Sequence, residues 1–107
     1  MNHRELFSLE HKIALVTGAS SGLGEHFAEV LAAAGATVVL AARRTDRLAN
    51  VVSRIEAAGG CAHALVMDVT SALSVQQGFT QLEEMFETLD IVINNAGIAS
   101  APTRFVD

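Results

Sequence analysis

The fold of this chain is decided by the stretch Thr17-Gly18-Ala19-Ser20-Ser21-Gly22-Leu23-Gly24. An apolar run at 13–16 precedes it, and a helix-like stretch at 25–34 follows it. Glycines at this place let the backbone turn sharply from a strand into a helix and approach a pyrophosphate closely. Free amide groups and the positive end of the helix dipole would face the negative charge. The stretch therefore predicts a dinucleotide-binding loop; a loop that only caps a helix is the alternative.

Apolar periodicity predicts that strands and helices alternate along the rest of the chain. Strands are expected at 13–16, 36–41, 62–67 and 91–93. The expected helices are 25–34, a second that ends at 59–60, and a third whose apolar positions run on to Leu89. The candidate N-caps of the second and third helices are Thr45, Asp46, Asp68, Thr70 and Ser71.

This alternation predicts an α/β fold with a doubly wound, Rossmann-like parallel sheet. In the expected strand order 3-2-1-4, the first two helices cover one face and the third covers the other. Only one helix then lies on the second face, and strand 91–93 lies at an open edge. We therefore expect residues 1–107 to be the N-terminal part of a single dinucleotide-binding domain, with an incomplete sheet.

Composition and charge narrow the class of protein. The net charge of −5 argues against a nucleic-acid surface. The basic residues are also scattered, except for a local cluster at 43–47. No apolar run approaches the ~20 residues of a membrane span, and residues 1–12 lack the apolar core of a secretory signal. We expect a cytoplasmic protein without membrane or nucleic-acid partners. Cys61, the sole cysteine, is expected to be buried, and no His or Cys spacing indicates a metal site.

Three motifs carry a family resemblance. Thr17-Gly-x-x-x-Gly-x-Gly24, Asp68-Val69 and Asn94-Asn-Ala-Gly97 resemble the short-chain dehydrogenase/reductase family in its short, single-domain branch. The resemblance extends from about residue 12 to about residue 98 and covers less than half of a typical member. It implies a nicotinamide dinucleotide cofactor and hydride transfer to or from a carbonyl or secondary alcohol.

The resemblance also implies roles for individual residues. Asp68 would accept a hydrogen bond from the adenine amino group, with helix capping as the alternative role, and Val69 would pack against the adenine ring. The pyrophosphate loop would consist of Gly18, Ser20, Ser21, Gly22, Leu23 and Gly24, with the serine hydroxyls able to bond phosphate or ribose oxygens.

A second set of roles falls on the motif after the fourth strand. Asn94 and Gly97 would lie along the cofactor, and Ala96 would leave room for the adenosine. Asn95 would help to fix the central strands. All of these positions concern cofactor binding, and the resemblance assigns no catalytic residue within this sequence.

The chemistry of the family uses a tyrosine, a lysine four residues later, a serine and a further asparagine. This sequence has no tyrosine, and Lys12 is its only lysine and precedes the glycine-rich loop. We therefore interpret the chain as the cofactor-binding half of an oxidoreductase, inactive alone, with a small-molecule substrate and a homo-oligomeric complete form. A nonfunctional truncated fragment and a stand-alone nucleotide-binding or redox-sensing module are the alternatives.

The end of the second predicted strand favours NADP over NAD. NAD-preferring relatives usually carry an acid at the position of Ala42, where it binds the ribose hydroxyls. Here Arg43 and Arg44 follow instead, and guanidinium groups can bind a 2′-phosphate through charge-assisted hydrogen bonds. Ser21 stands where many NADP-binding relatives have a basic residue. The alternative is that both arginines only solvate the start of a helix.

Overall fold

The computed structural model describes residues 8–19, 21–44 and 46–95. Within them, strands and helices alternate as predicted. The elements are β1 (Ile13–Thr17), α1 (Gly22–Ala33), β2 (Thr37–Ala42), α2 (Asp46–Ala57), β3 (Cys61–Val66), α3 (Ala72–Met85) and β4 (Ile91–Asn94). No helix in these residues is long and apolar enough to cross a membrane.

The strands form one parallel sheet in the order β3-β2-β1-β4, which confirms the predicted order. Thr37 of β2 lies opposite Ile13 of β1 on one side and Cys61 of β3 on the other. β4 pairs with the free side of β1, with Ile91 opposite Ala14. Because all strands run in one direction, the loops that follow them meet at the carboxyl edge of the sheet.

Side chains on the two faces of the sheet build two separate cores. On one face, α1 contributes Ala28 and Ala32, and α2 contributes Leu48, Val51 and Ile55. On the other face, α3 contributes Leu82, which packs over side chains of the central strands and β3. The predicted division of the helices between the faces is therefore confirmed. The side chains that accompany Leu82 in this second core are Leu15, Val39, Ala41, Leu65 and Met67.

Helix ends differ from the sequence-based bounds for local reasons. α1 begins at Gly22 rather than Glu25, because the Ser21 side chain accepts a hydrogen bond from the Gly24 amide and caps the helix. α3 ends at Met85, so the predicted extension to Leu89 is wrong. The chain is extended at Phe86, yet Phe86 and Leu89 still pack against the second core, which explains why their spacing suggested more helix.

The structure also shows the N-cap of α3 and tests one candidate N-cap of α2. Ser71 caps α3 by accepting from the Ser74 amide. Asp46 is the first residue of α2 and therefore not its cap, and Thr45 lies outside the described residues. Gly59, with φ of +91°, follows the end of α2 in the left-handed region that favours glycine.

Residues at the sheet edges are more exposed than those of the centre. β4 lies at one edge of the described sheet, and 39% of Val92 is exposed. β3 lies at the other edge, and Cys61 at its start is exposed, so the expectation that Cys61 is buried is wrong. The Cys61 sulfur lies 3.9 Å from Nε2 of His63.

The packing of α3 gives a test with a matched control. Leu82 is 4% exposed and Leu73, on the same helix, is 63% exposed. Leu82→Ala should leave a cavity in the second core and lower the free energy of unfolding by about 2–4 kcal/mol. Leu73→Ala should change it by less than about 0.5 kcal/mol. Urea titration measures both, and equal losses would contradict the packing described.

Candidate functional site

The loop between β1 and α1 turns the chain within four residues. Gly18 has φ of +63°, in the left-handed region that other residues seldom adopt. The Ser21 amide donates to the Gly18 carbonyl at 3.1 Å, and the Ser21 hydroxyl donates to the same oxygen at 2.9 Å. The hydroxyl also accepts from the Gly24 amide at 3.1 Å. These contacts fix the start of α1 directly above the end of β1.

The two helical glycines of this loop meet different surroundings. A Cβ on Gly24 would overlap the Gly18 carbonyl oxygen and would lie 2.9 Å from the Ala19 Cα. Gly24 therefore allows the helix to approach the loop closely. A Cβ on Gly22 would meet no protein atom within 4 Å, so the space in front of Gly22 is open.

Gly22 and Leu23 are the first two residues of α1. Among the described residues, no acceptor is bonded to the amides of Gly22 and Leu23, whereas the next two amides are bonded to Ser21. The first amides of a helix carry partial positive charge and bind anions. The arrangement can therefore hold a phosphate group, as the sequence predicted for this loop.

The asparagines at the end of β4 connect this loop to the sheet. Asn95 donates from Nδ2 to the Ser21 hydroxyl at 2.8 Å and, more weakly, to the Gly18 carbonyl at 3.4 Å. Its backbone amide donates to the Thr17 hydroxyl at 3.1 Å. Asn94 accepts from that same hydroxyl at 2.9 Å. Both asparagines thus connect the end of β4 to the end of β1, and the contacts of Asn95 agree with its expected role of helping to fix the central strands.

A groove of about 290 Å³ opens beside the loop at the carboxyl edge of the sheet. It brings together residues that follow β1, β2, β3 and β4, including five that the sequence predicted. Asn95, Met67 and Thr70 lie in the groove and were not predicted as ligand contacts. The residues that line the groove are Gly18, Ser21, Ala42, Arg43, Met67, Asp68, Val69, Thr70 and Asn95.

Asp68 presents a charged carboxylate in this groove. Its Oδ1 accepts from the Thr70 hydroxyl at 2.7 Å and from the Thr70 amide at 3.0 Å. These two bonds hold the pKa of Asp68 below its usual value, and the nearby charge of Arg43 adds to the effect. Since Ser71 caps α3, Asp68 is not needed as the cap, which removes the alternative role that the sequence allowed.

The basic cluster after β2 lines a second, neighbouring groove of about 680 Å³. Arg43, Arg44, Asp46 and Arg47 form its walls, and Arg43 borders both grooves. Arg47 is paired with Glu25, whereas no described carboxylate pairs with Arg43 or Arg44. Two of the three guanidinium groups are therefore available to an anion.

Glu25 connects α1 to α2 from the first turn of α1. Its carboxylate accepts from Arg47 Nε at 3.0 Å and from Arg54 Nη2 at 2.9 Å. Burial raises the pKa of Glu25, but the hydrogen bonds from Arg54 and Arg47 outweigh burial and hold the pKa below its usual value. Glu25 therefore stays charged at neutral pH. Nothing in the sequence pattern pointed to this contact, which depends on how the two helices pack.

Some predicted positions cannot be placed in this site. Ser20, Ala96 and Gly97 lie outside the described residues. Leu23 is exposed at the start of α1, and its role stays a prediction. In the part of the chain that the structure describes, no group of three His, Cys, Asp or Glu residues could hold a metal ion.

The sequence and the fold are both similar to known proteins. A family model described as short chain dehydrogenase matches residues 12–107. Gluconate 5-dehydrogenase of Gluconobacter oxydans is 46% identical over 98 residues, which is 92% of this chain and 38% of that protein. The 3beta-hydroxysteroid dehydrogenase of Mediterraneibacter gnavus is 42% identical over 92 residues, covering 86% of this chain and 33% of that protein.

Solved structures give the same result. A short-chain type dehydrogenase/reductase from Mycobacterium marinum superimposes with a TM-score of 0.84 at 38% identity, over 100% of this chain and 43% of that chain. A 3-oxoacyl (acyl-carrier-protein) reductase from Agrobacterium tumefaciens with NADP bound superimposes with a TM-score of 0.83 at 36% identity, over 96% of this chain and 40% of that chain. This chain therefore spans less than half the length of each of these relatives.

The two glycines of α1 give a test of the loop geometry. Gly24→Ala should force the helix away from the Gly18 carbonyl and lower the free energy of unfolding by about 1–3 kcal/mol. Gly22→Ala adds the same methyl group to open space and should change that free energy by less than about 0.5 kcal/mol. Urea titration of both variants checks this, and tolerance of Gly24→Ala would show that the close approach is not required.

Proposed function

We propose, from the premise that this chain belongs to the short chain dehydrogenase family, that it is the NADP(H)-binding half of an oxidoreductase. The reaction proposed for the whole protein is hydride transfer between the nicotinamide and a carbonyl or secondary alcohol of a small molecule. The observation that carries the proposal is the groove of about 290 Å³ that is lined by Gly18 and Ser21, which directly precede the first amides of α1, and by the charged Asp68.

The groups along this groove fit the parts of a dinucleotide. The open space at Gly22 and the first two amides of α1, which bond no acceptor among the described residues, suit a pyrophosphate, because small donors with partial positive charge can approach its oxygens closely. Asp68 keeps an ionised carboxylate that can accept a hydrogen bond from the adenine amino group. Val69, which is partly exposed in the same groove, offers an apolar surface to the adenine ring.

The residues of this chain would bind and orient the cofactor. The Ser21 hydroxyl donates its hydrogen to Gly18, so its main role here is to hold the loop in shape. Asn95 supports the same loop through Ser21. The bound nicotinamide would supply or accept the hydride. Acid–base chemistry at the substrate oxygen would fall to residues outside this sequence, because this sequence has no tyrosine.

The residues at the end of β2 support a preference for NADP(H). Ala42 is the last residue of β2 and presents no acid that could bind the ribose hydroxyls or repel a 2′-phosphate. Arg43 and Arg44 follow, exposed and without a described carboxylate partner. A relative with a similar fold has NADP bound, which supports the same cofactor here.

A second candidate function is a nucleotide-binding or redox-sensing module without catalysis of its own. The absence of tyrosine from this sequence favours it. Turnover of a carbonyl or alcohol substrate by the protein that carries this chain distinguishes the two functions. A module of this kind would bind the dinucleotide without oxidising or reducing a substrate. A cytoplasmic location and a homo-oligomeric state are further parts of the proposal.

Arg43 gives the test of the cofactor preference. Replacing Arg43 by Ala should remove a charge-assisted hydrogen bond to the 2′-phosphate, worth about 1.5–3 kcal/mol. The Kd for NADP⁺ should therefore rise about ten- to a hundredfold, while the Kd for NAD⁺ stays nearly constant. Adding Ala42→Asp should then reverse the preference, because the carboxylate would repel the phosphate and bind the ribose hydroxyls. Isothermal titration with both dinucleotides measures these changes.

Two outcomes would contradict this assignment. Equal losses of NADP⁺ and NAD⁺ affinity in Arg43→Ala would show that the arginine stabilises the fold rather than the phosphate. Tighter binding of NAD⁺ than NADP⁺ by the unaltered protein would remove the NADP(H) preference itself. Circular dichroism of each variant serves as the control for folding.

A further inference from the structure

Only one of the two carboxylate oxygens of Asp68 has a donor among the described residues. Its Oδ1 accepts from the Thr70 hydroxyl at 2.7 Å and from the Thr70 amide at 3.0 Å, and no described donor is bonded to Oδ2. The backbone of Asp68 is fixed as well, because its amide donates to the Ser74 hydroxyl at 2.8 Å. Asp68 therefore keeps one acceptor oxygen for a ligand on a side chain that is held in place.

The hydroxyl of Thr70 orients this carboxylate in a way that the amide alone does not. The terminal torsion of an aspartate side chain is broad, so a single hydrogen bond leaves the plane of the carboxylate loosely set. A second donor on the same oxygen restricts rotation of that plane. Thr70 lines the groove of about 290 Å³ together with Asp68, but its hydroxyl hydrogen is already used in the bond to Asp68.

We propose that Thr70 is a positioning residue that fixes the Asp68 carboxylate so that Oδ2 accepts a hydrogen bond from the amino group of adenine. Thr70 thereby sets the preference of the groove for adenine over a purine base with an oxo group in place of the amino group. This inference rests on the proposed function, because it places the adenine of the cofactor beside Asp68. Thr70 acts through Asp68 and needs no bond of its own to the base.

The physical basis is that an ionised carboxylate accepts hydrogen bonds and donates none. An amino group can donate to Oδ2, whereas an oxo oxygen in the same place has no hydrogen to donate and is repelled by the negative charge. A site built around such a bond rejects an analogue that cannot form it, because the charged acceptor then loses water without gaining a partner. This discrimination is sharpest when the carboxylate cannot rotate toward another donor.

The variant Thr70→Val tests the inference, because valine keeps the branched shape and the backbone amide but removes the hydroxyl. The probes are NADP⁺, NAD⁺ and the hypoxanthine analogue of NADP⁺, in which an oxo group replaces the adenine amino group. The unaltered protein that carries this chain should bind NADP⁺ about tenfold more tightly than the analogue, as expected for a hydrogen bond to a charged group.

Isothermal titration of Thr70→Val should then separate the probes. The Kd values for NADP⁺ and NAD⁺ should both rise about three- to tenfold, since the two share adenine and the change corresponds to one ordinary hydrogen bond. The Kd for the analogue should stay within about twofold, because the analogue does not form the bond that Thr70 supports.

Two further variants serve as controls. Thr70→Ser keeps the hydroxyl and should restore the affinity for NADP⁺. Thr80→Val removes a hydroxyl that donates to the Gln76 carbonyl within α3 at 3.0 Å, so it should leave all three Kd values unchanged. Thermal unfolding midpoints of all variants check that the proteins remain folded.

A measurement without ligand tests the contact itself. The pKa of Asp68, followed by NMR of its carboxyl carbon, should rise toward its ordinary value in Thr70→Val, because the hydrogen bond from the Thr70 hydroxyl is the main cause that lowers it. An unchanged pKa would show that the hydroxyl does not hold this carboxylate in solution, and the inference would fall.

Three binding results would also overturn the inference. Equal losses for NADP⁺ and the analogue in Thr70→Val would show that Thr70 shapes the loop as a whole. A loss for NADP⁺ that NAD⁺ does not share would show that the released Asp68 pairs with Arg43, which lines the same groove. Equal binding of NADP⁺ and the analogue by the unaltered protein would show that Asp68 does not distinguish the amino group. The proposed function fails on a different measurement, the dinucleotide preference of the unaltered protein and its Arg43→Ala variant.

Discussion

Three hydrogen bonds converge on the hydroxyl group of Ser21, and the geometry of the site depends on them. The hydroxyl donates to the Gly18 carbonyl, accepts from the Gly24 amide and accepts from Asn95. It thus joins the end of β1, the start of α1 and the chain after β4, which is 74 residues away from Ser21 in sequence. These bonds fix the first turn of α1, in which the amides of Gly22 and Leu23 bond no acceptor among the described residues. Gly18, Ser21 and Asn95, which these bonds hold together, line the groove of about 290 Å³ at the carboxyl edge of the sheet.

Most of the fold could be predicted from sequence, and the failures have local causes. Apolar spacing identifies each element because each one buries a face, and parallel strands joined by helices allow few topologies. Helix ends are harder, since a single hydroxyl at Ser21 moved the start of α1 by three residues relative to the prediction. Phe86 and Leu89 continue the apolar spacing of α3 from an extended chain, and spacing alone cannot distinguish this from helix.

In the candidate site, features set by the local sequence could be predicted, whereas contacts between residues far apart in sequence could not. The glycine-rich loop and Asp68 could be predicted, because each follows a strand directly and the carboxyl ends of parallel strands meet. The individual hydrogen bonds of Asn94 and Asn95 could not be predicted, because neighbouring residues at a strand end point to opposite sides. The pair of Glu25 and Arg47 spans 22 residues and exists only because α1 packs beside α2.

On the proposed function, the carboxyl edge of this sheet binds a dinucleotide. Amide chemical shifts in ¹⁵N-labelled protein, followed during titration with NADP⁺, test it most directly. We expect the largest changes at Gly22, Leu23, Arg43 and Val69, because Arg43 and Val69 line the groove of about 290 Å³ and the first two amides of α1 follow its lining residue Ser21. Absence of change at these amides, or changes confined to the apolar hollow lined by Phe79, Leu82, Glu83, Phe86, Glu87, Thr88 and Leu89 on the other side of the sheet, would contradict it.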